Sequence, residues 1–180
     1  MNRGMAVGAV GRVLVNQDEL ARRVRALGQA IARDYADANP LLVCVLKGAV
    51  IFFADLIRAV EAPLTTDFIS VSSYGTGSAS SGVVKITSDL SISIEDRDVI
   101  LVEDIIDSGR TISYLKRNLA TRHPKSLRIC TLLDKIERRE VDVELDYVGF
   151  TIPNVFIIGY GMDHDGLYRN LPYLAALDEA

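Results

Sequence analysis

The chain has 180 residues, of which 49% are hydrophobic and 24% are charged, and its formal net charge is −4 at pH 7. This length is typical of one domain, and this apolar content excludes a disordered chain. The acidic balance excludes a general affinity for nucleic acid, which requires a basic surface, and no uninterrupted apolar run reaches the ~18 residues of a membrane span. We therefore expect a single domain over residues 1–180 that binds neither nucleic acid nor a membrane.

The two cysteines indicate the compartment. Cys44 and Cys130 each lie inside an apolar run, LLVCVL and LRICTLL, which is typical of buried free thiols in a reducing environment. The N-terminal segment lacks the uninterrupted apolar stretch that a signal peptide needs. Both observations predict a cytoplasmic protein.

The first clear element along the chain is a helix over about 17–37. Asn16 followed by Glu19 is a capping pair. Apolar residues then recur at steps of three and four, which is one face of a helix, at Leu20, Val24, Leu27, Ile31 and Tyr35. The dipeptide Asn39-Pro40 ends this helix.

Strands and helices alternate in the rest of the chain. Apolar and alternating runs predict strands over 41–46, 66–73, 82–88, 98–103, 127–133, 147–150 and 156–160. Two more helices are expected, one from Lys47-Gly48 to about Pro63 and one over 110–121. This alternation predicts an α/β fold with a mostly parallel central sheet of about five strands, flanked by helices on both faces. The strands 66–73 and 82–88 form an antiparallel excursion from that sheet, joined by small polar residues.

The string VILVEDIIDSGRT, residues 99–111, carries chemistry. It places Glu103 and Asp104 at the carboxyl end of a strand, where ligands bind in an open α/β sheet. The following DSGRT loop opens onto a helix, so its backbone N–H groups and hydroxyls suit a phosphate. Acids beside such a loop suit a phosphorylated sugar, whose hydroxyls they bind directly or through Mg²⁺. The string is neither a Walker loop nor a GxGxxG fingerprint. The simpler alternative is that Asp107 or Ser108 only caps the helix.

This string resembles the phosphoribosyl-pyrophosphate (PRPP) motif of type I phosphoribosyltransferases. Four other strings resemble the hypoxanthine and hypoxanthine-guanine phosphoribosyltransferases in particular, namely VLKGAVIF, VSSYGTGSASSGVV, TLLDK and DYVGFTIPNVFIIGYGMDHDGLYRNLPY. They occur over residues 41–173 in the order and spacing of that family.

The resemblance implies a type I phosphoribosyltransferase fold with a core over about 38–150. A small hood from about 1–16 and 151–180 then covers the carboxyl edge of the sheet. It implies a Mg²⁺-dependent purine-salvage transferase, which converts hypoxanthine or guanine and PRPP into IMP or GMP and pyrophosphate through an oxocarbenium-like transition state. It further implies a homodimer or homotetramer.

The same resemblance assigns roles to individual residues. Asp107 is the acid/base at purine N7, a task that suits a carboxylate. The ribose 5-phosphate of PRPP is bound by Glu103, Asp104, Asp107, Ser108, Gly109, Arg110 and Thr111. The pyrophosphate is bound by Lys47, Gly48 and Arg169. The purine is bound by Lys135, Phe156, Ile157 and Asp163. The metal ligands are Glu103, Asp104 and Asp163. Ser73 and Tyr74 begin a flexible loop that closes over the site.

The sequence leaves several points open. Lys135 has only donors and therefore disfavours adenine, but hypoxanthine, guanine and xanthine are not separated. Asp134 and Arg139 have no settled role, and the Leu46–Lys47 peptide can be cis or trans. His123 and His164 are expected at the surface without partners. The alternative outside the enzymes is a non-catalytic regulator that binds PRPP. The presence of the catalytic residue Asp107 and of the leaving-group residues Lys47 and Arg169 argues against it.

Overall fold

A computed structural model describes residues 10–73 and 84–178, which contain nine strands and three α-helices. The strands are β1 Val10–Val15, β2 Leu41–Leu46, β3 Thr65–Ser73, β4 Val84–Ser88, β5 Asp98–Ile106, β6 Ser126–Asp134, β7 Tyr147–Thr151, β8 Ile157–Ile158 and β9 Leu174–Leu177. The helices are α1 Gln17–Asp34, α2 Val50–Ala59 and α3 Arg110–Ala120, and a short 3-10 helix, Ile136–Arg138, follows β6.

Six strands form the central sheet in the order β4-β3-β2-β5-β6-β7. Five of them are parallel, and β4 pairs antiparallel with β3. The predicted α/β class, the mostly parallel sheet and the antiparallel excursion are therefore confirmed. Among the described helices, none is both long and apolar enough to cross a membrane.

The sheet separates two apolar cores, as expected when helices cover both faces. Side chains alternate along β2, so that Leu42 and Cys44 lie in the core beneath α1 and α2. Leu41, Val43 and Val45 lie in the opposite core, beneath α3. Because both faces are buried, β2 has a continuous apolar sequence rather than an alternating one. Both cysteines are buried free thiols, as predicted.

Helix α1 begins at the predicted capping pair. The Asn16 side chain accepts from the Glu19 N–H at 3.0 Å, and the Glu19 carboxylate accepts from the Asn16 N–H at 2.9 Å. The helix ends at Asp34, three residues earlier than predicted, because Tyr35 leaves the helical conformation at φ −122. Helix α2 ends at Ala59 rather than near Pro63, since Val60 is already extended.

The strand β5 is longer than predicted, and this changes where its acids lie. Its parallel pairing with β6 continues through Ile105↔Leu133 and Ile106↔Asp134. Ile106 is buried in the core beneath α3. Backbone pairing and burial thus outweigh the low strand propensity of acidic residues, and Glu103 and Asp104 lie inside the strand.

A second, three-stranded antiparallel sheet, β1-β9-β8, occurs where the hood was predicted. We call residues 10–15 and 151–178 the hood. The predicted strand 156–160 is only two residues long, because Gly159 bends the chain at φ 97. A Cβ atom on Gly159 would lie 2.1 Å from the Tyr173 carbonyl oxygen, so this bend requires glycine.

Candidate active site

A cleft of about 700 Å³ lies between the carboxyl edge of the central sheet and the hood. Its walls include nine residues that the sequence predicted for the site, namely Lys47, Gly48, Asp104, Asp107, Lys135, Phe156, Ile157, Asp163 and Arg169. They come from five separate stretches of the chain. The walls also include Arg138, Asn154 and Met162, which the sequence did not single out.

A smaller cavity of about 100 Å³ adjoins the cleft. Its walls include Glu103, Ser108, Gly109 and Thr111, and Asp107 lines both cavities. The predicted phosphate loop therefore lines the small cavity, and Asp107 lies at the boundary between this cavity and the cleft.

Gly109 allows this loop to pack closely at the start of α3. It has φ 82, and a Cβ atom there would lie 2.6 Å from the Val141 carbonyl oxygen. The Val141 N–H donates to the Ser108 carbonyl at 3.1 Å, which fastens the loop from behind. Arg110 forms an ion pair with Glu140 at 2.5 Å and does not line the small cavity. Its predicted contact with the ribose 5-phosphate stays a prediction.

The Lys47–Gly48 segment lies against both the sheet and the hood. The Leu46–Lys47 peptide bond is cis, which answers the question that the sequence left open. A Cβ atom on Gly48 would lie 1.8 Å from Asp104 Oδ2, and one on Gly161 would lie 2.1 Å from the Gly48 carbonyl oxygen. Only glycine at both positions allows these approaches.

Glu103 is half-buried and Asp104 is buried, and their carboxyl groups affect each other's pKa. Burial raises the pKa of Glu103 well above its usual value, and the charge of Asp104 and the hydrogen bond between the two carboxyl groups raise it further. Burial also raises the pKa of Asp104, against the opposing effects of the Glu103 hydrogen bond, backbone N–H groups and the Arg169 charge. Glu103 Oε2 is buried and has no hydrogen-bond partner among the described residues. A buried unpaired acid oxygen is costly, so the pair suits a cation.

The chemistry of these two acids is compatible with the Mg²⁺ that the sequence predicts. No group of three or more His, Cys, Asp or Glu side chains is arranged for a metal within residues 10–73 and 84–178. Mg²⁺ is commonly bound through one or two carboxylates, with substrate oxygens and waters completing six ligands. Glu103 and Asp104, beside the predicted phosphate loop, would supply the carboxylates of such a site.

Lys135 and Arg138 lie near Asp107. Arg138 Nε is 3.3 Å from Asp107 Oδ1, and this oxygen makes no hydrogen bond within the described part of the chain. Burial lowers the pKa of Lys135, the Asp107 charge opposes this, and Arg138 adds to the lowering. Lys135, Arg138 and Asp107 thus form a charged group at one end of the cleft.

Phe156 presents an aromatic ring to the cleft. Phe156 is 52% exposed, and the His164 ring packs edge-on against its ring at a centroid distance of 5.3 Å. The expectation that His164 has no partner is therefore wrong, because the 160–171 hairpin folds back towards β8. Ile157 is buried beside the cleft.

Asp163 and Arg169 contact each other across the same hairpin. Arg169 Nη2 lies 2.6 Å from Asp163 Oδ1, and Arg169 Nη1 donates to the Gly161 carbonyl at 2.6 Å. The Gly166 N–H donates to Asp163 Oδ2 at 2.7 Å. Both carboxylate oxygens of Asp163 are thus engaged within the hairpin, and its role as a metal ligand stays a prediction.

Asp134 and Arg139 form a largely buried ion pair outside the cleft. They line a separate cavity behind the phosphate loop, and a Cβ atom on Gly109 would lie 2.9 Å from Arg139 Cδ. This pair thus supports the loop from behind. Ser73 ends β3, where its backbone pairs with Val84. Tyr74 lies outside the described residues, so the loop prediction stays untested.

Comparison with known proteins identifies the family. Residues 13–165 match the phosphoribosyl transferase domain. The chain is 51% identical over 170 residues to a hypoxanthine-guanine phosphoribosyltransferase of Streptococcus thermophilus (strain CNRZ 1066), covering 94% of each chain. It is 50% identical over 177 residues to the protein of the same name from Mycobacterium avium, covering 95% of this chain and 87% of that one.

Solved structures agree with this assignment. The fold superposes with a TM-score of 0.90 on a hypoxanthine-guanine phosphoribosyltransferase from Bacillus anthracis, which is 45% identical, with 94% of this chain and all of that chain covered. The resemblance found in the sequence is thereby confirmed. The chain belongs to the phosphoribosyl transferase family, within the branch of transferase enzymes named hypoxanthine-guanine phosphoribosyltransferases.

Proposed function

We propose that this protein transfers the phosphoribosyl group of PRPP to a 6-oxopurine, hypoxanthine or guanine, and releases pyrophosphate, with a role in purine salvage. The observation that carries the proposal is the place of Asp107, which lines both the phosphate-loop cavity and the cleft that contains Lys135 and Phe156. A nucleoside 5′-monophosphate carries its phosphate on C5′ and its base on C1′ of the ribose, so the two groups extend into separate spaces. The two cavities match that division.

The small cavity suits the 5′-phosphate. The loop from Asp107 to Thr111 presents backbone N–H groups and two hydroxyls at the start of α3, and the positive end of the helix dipole favours an anion there. Glu103 and Asp104 lie beside this loop and suit the ribose hydroxyls. Mg²⁺ bound at these acids would neutralise charge on the sugar diphosphate and assist departure of pyrophosphate.

Asp107 suits proton transfer at purine N7. Its buried Oδ1 makes no hydrogen bond within the described residues and lies 3.3 Å from Arg138 Nε. Asp107 also borders the cavity in which the ribose C1 would lie. Removing the N7 proton makes the base a better nucleophile, and returning it in the reverse reaction makes the base a better leaving group. Positioning and charge then stabilise an oxocarbenium-like transition state.

The other end of the cleft suits the base. Lys135 is buried to 6% exposure, and its ammonium group has donors only, so it matches the exocyclic O6 of hypoxanthine or guanine. Adenine has a donor at that position and would leave the buried ammonium unpaired. Phe156 offers a ring face for stacking on the purine.

The leaving group is expected on the side of Lys47, Gly48 and Arg169. These residues line the cleft near Asp104, and two of them are cations. Pyrophosphate carries several negative charges, so cations placed there favour its binding and departure. We further propose that the protein is cytoplasmic and that it assembles as a homodimer or homotetramer. Sedimentation of the purified protein measures this oligomeric state directly.

A spectrophotometric assay tests the proposed function. Purified protein with Mg²⁺ and PRPP is given hypoxanthine, guanine, xanthine, adenine or orotate in parallel. Turnover of hypoxanthine or guanine, abolished by a chelator and restored by Mg²⁺, is expected. Turnover of xanthine or orotate alone would reject the proposed base, and PRPP binding without turnover of any base would indicate a regulator.

A further inference from the structure

The side chain of Tyr160, in a turn of the hood, forms a hydrogen bond with Asp55 on α2 of the core. Tyr160 is buried, although its backbone lies in the left-handed region at φ 49. Its N–H donates to the Leu171 carbonyl at 2.8 Å, and its hydroxyl donates to Asp55 Oδ2 at 2.5 Å. A non-glycine residue keeps this conformation only where its surroundings impose it. Nothing in the reaction proposed above uses this tyrosine.

The hydrogen bond joins two segments that also meet inside the cleft. Asp55 lies on α2, which begins two residues after Gly48. Tyr160 precedes Gly161, whose Cα packs so closely on the Gly48 carbonyl that a Cβ atom would lie 2.1 Å from that oxygen. The Asp55–Tyr160 hydrogen bond is thus a second connection between the helix after the Lys47–Gly48 segment and the hood.

Gly161 also holds Arg169. The Gly161 carbonyl accepts from Arg169 Nη1 at 2.6 Å, and the Gly161 N–H donates to the Arg169 carbonyl at 3.0 Å. A shift of the turn at 160–161 would therefore move the Arg169 guanidinium and loosen the packing on Gly48 together. Both groups lie on the pyrophosphate side of the cleft.

We propose that the Asp55–Tyr160 hydrogen bond positions Gly161, and through it Gly48 and Arg169, for binding the pyrophosphate part of PRPP. This assignment of the pyrophosphate side rests on the proposed function. Tyr160 and Asp55 are positioning residues, since neither is required to touch the substrate.

The base end of the cleft depends less on this hydrogen bond. Lys135 follows β6 in the core, and its N–H donates to the Ile106 carbonyl at 3.0 Å. Phe156 is held through its own carbonyl, which accepts from the Leu177 N–H at 3.0 Å. The hydrogen bond should therefore affect PRPP and pyrophosphate more than the purine.

The variant Tyr160→Phe removes the donor and keeps the ring. We expect KM for PRPP, and for pyrophosphate in the reverse reaction, to rise about 3- to 10-fold, the equivalent of one lost hydrogen bond. The KM for hypoxanthine, measured at saturating PRPP, should stay within about twofold of the wild-type value, a change smaller than that of one lost hydrogen bond. Calorimetric titration of the protein with PRPP in the presence of Mg²⁺ gives the Kd for PRPP. This allows the same comparison of variants without depending on turnover.

Tyr147→Phe is the matched control. The Tyr147 hydroxyl also donates to an aspartate, Asp34 Oδ2, at 2.5 Å, and Tyr147 is 7% exposed, as Tyr160 is. It begins β7 at the opposite edge of the sheet from the cleft. The Tyr147 hydroxyl also accepts from Arg128 Nη1 at 2.9 Å, so its loss should lower Tm at least as much as Tyr160→Phe does. It should leave both the KM and the Kd for PRPP unchanged.

Substitutions of the acceptor complete the test. Asp55→Asn keeps an acceptor oxygen and should resemble the wild type, whereas Asp55→Ala should reproduce Tyr160→Phe. The double variant Asp55→Ala/Tyr160→Phe should lose no more affinity for PRPP than either single one, because both substitutions remove the Tyr160 hydrogen bond. Asp55→Ala also removes an ion pair with Arg58, but that arginine is exposed, and an exposed pair contributes little. If Tyr160→Phe does not fold, the two Asp55 variants decide alone.

Three results would overturn the inference: an unchanged Kd for PRPP in Tyr160→Phe or Asp55→Ala, an equal loss in Tyr147→Phe, or additive losses in the double variant. Failure of the proposed function looks different. The wild type would then turn over no 6-oxopurine, while the calorimetric comparison of variants would still test the positioning role.

Discussion

Gly48→Ala probes the closest approach in the cleft. The added Cβ would lie 1.8 Å from Asp104 Oδ2 and 2.7 Å from Asp104 Cγ. An ordinary C···O contact is about 3.3–3.6 Å, so the carboxylate or the Lys47–Gly48 segment must move by roughly 1.5 Å. A misplacement of about 1 Å in an active site costs on the order of 100-fold in rate, while overpacking costs about 1–3 kcal/mol of stability.

We therefore expect Gly48→Ala to fold and to lose on the order of 100-fold in kcat/KM for PRPP. Steady-state kinetics, corrected for the folded fraction measured by circular dichroism, gives this value. Gly149→Ala is the control, because its Cβ would lie 2.3 Å from the Leu132 carbonyl oxygen in β6, outside the cleft lining. It should lose stability and keep kcat/KM per folded molecule. Full activity in Gly48→Ala, or equal loss in both variants, would refute the reasoning.

Three further predictions concern single polar groups. Asp107→Asn should keep its Kd for PRPP and lower kcat by about 10²–10⁴, measured by calorimetry and initial rates; an unchanged kcat would reject the acid/base assignment. Lys135→Ala should raise KM for hypoxanthine more than Kd for PRPP, and unchanged hypoxanthine kinetics would exclude the O6 contact. Glu103→Gln should stabilise the metal-free protein at neutral pH, because burial raises the pKa of Glu103 in the folded state. A raised folded-state pKa means that stability falls as pH rises above the unfolded value of about 4.3. The Tm advantage of Glu103→Gln in EDTA should therefore grow from pH 4 to pH 8, and a constant advantage would contradict this origin.

Local patterns predicted the elements that depend on local interactions. The Asn16–Glu19 pair located the start of α1, and the continuous apolar run of β2 gave its bounds, because capping and burial act over a few residues. The predicted end of β5 was too early. Its last residues are held in the strand by backbone pairing with β6, and the local sequence of β5 carries no signal of that pairing. β1 was not predicted as a strand for the same reason, because it pairs with β9 at the far end of the chain.

The residues of the site likewise fall into those that local sequence patterns predicted and those that depend on long-range packing. The sequence named the residues whose types are dictated by chemistry, and nine of them meet in one cleft although they come from separate stretches of the chain. It missed Arg138, whose only signal is its place three residues after Lys135. It also missed the Asp55–Tyr160 hydrogen bond, which joins positions 105 residues apart. Such contacts follow from packing of the hood on the core and leave no short-range pattern.

A crystal structure of the protein with IMP bound tests the central claim most directly. We predict that the phosphate lies in the loop from Asp107 to Thr111 and that the base lies between Lys135 and Phe156. Purine N7 should then be within about 2.6–3.2 Å of the Asp107 carboxylate, and O6 within hydrogen-bond distance of Lys135 Nζ. A phosphate bound outside this loop, or N7 out of reach of Asp107, would contradict the account.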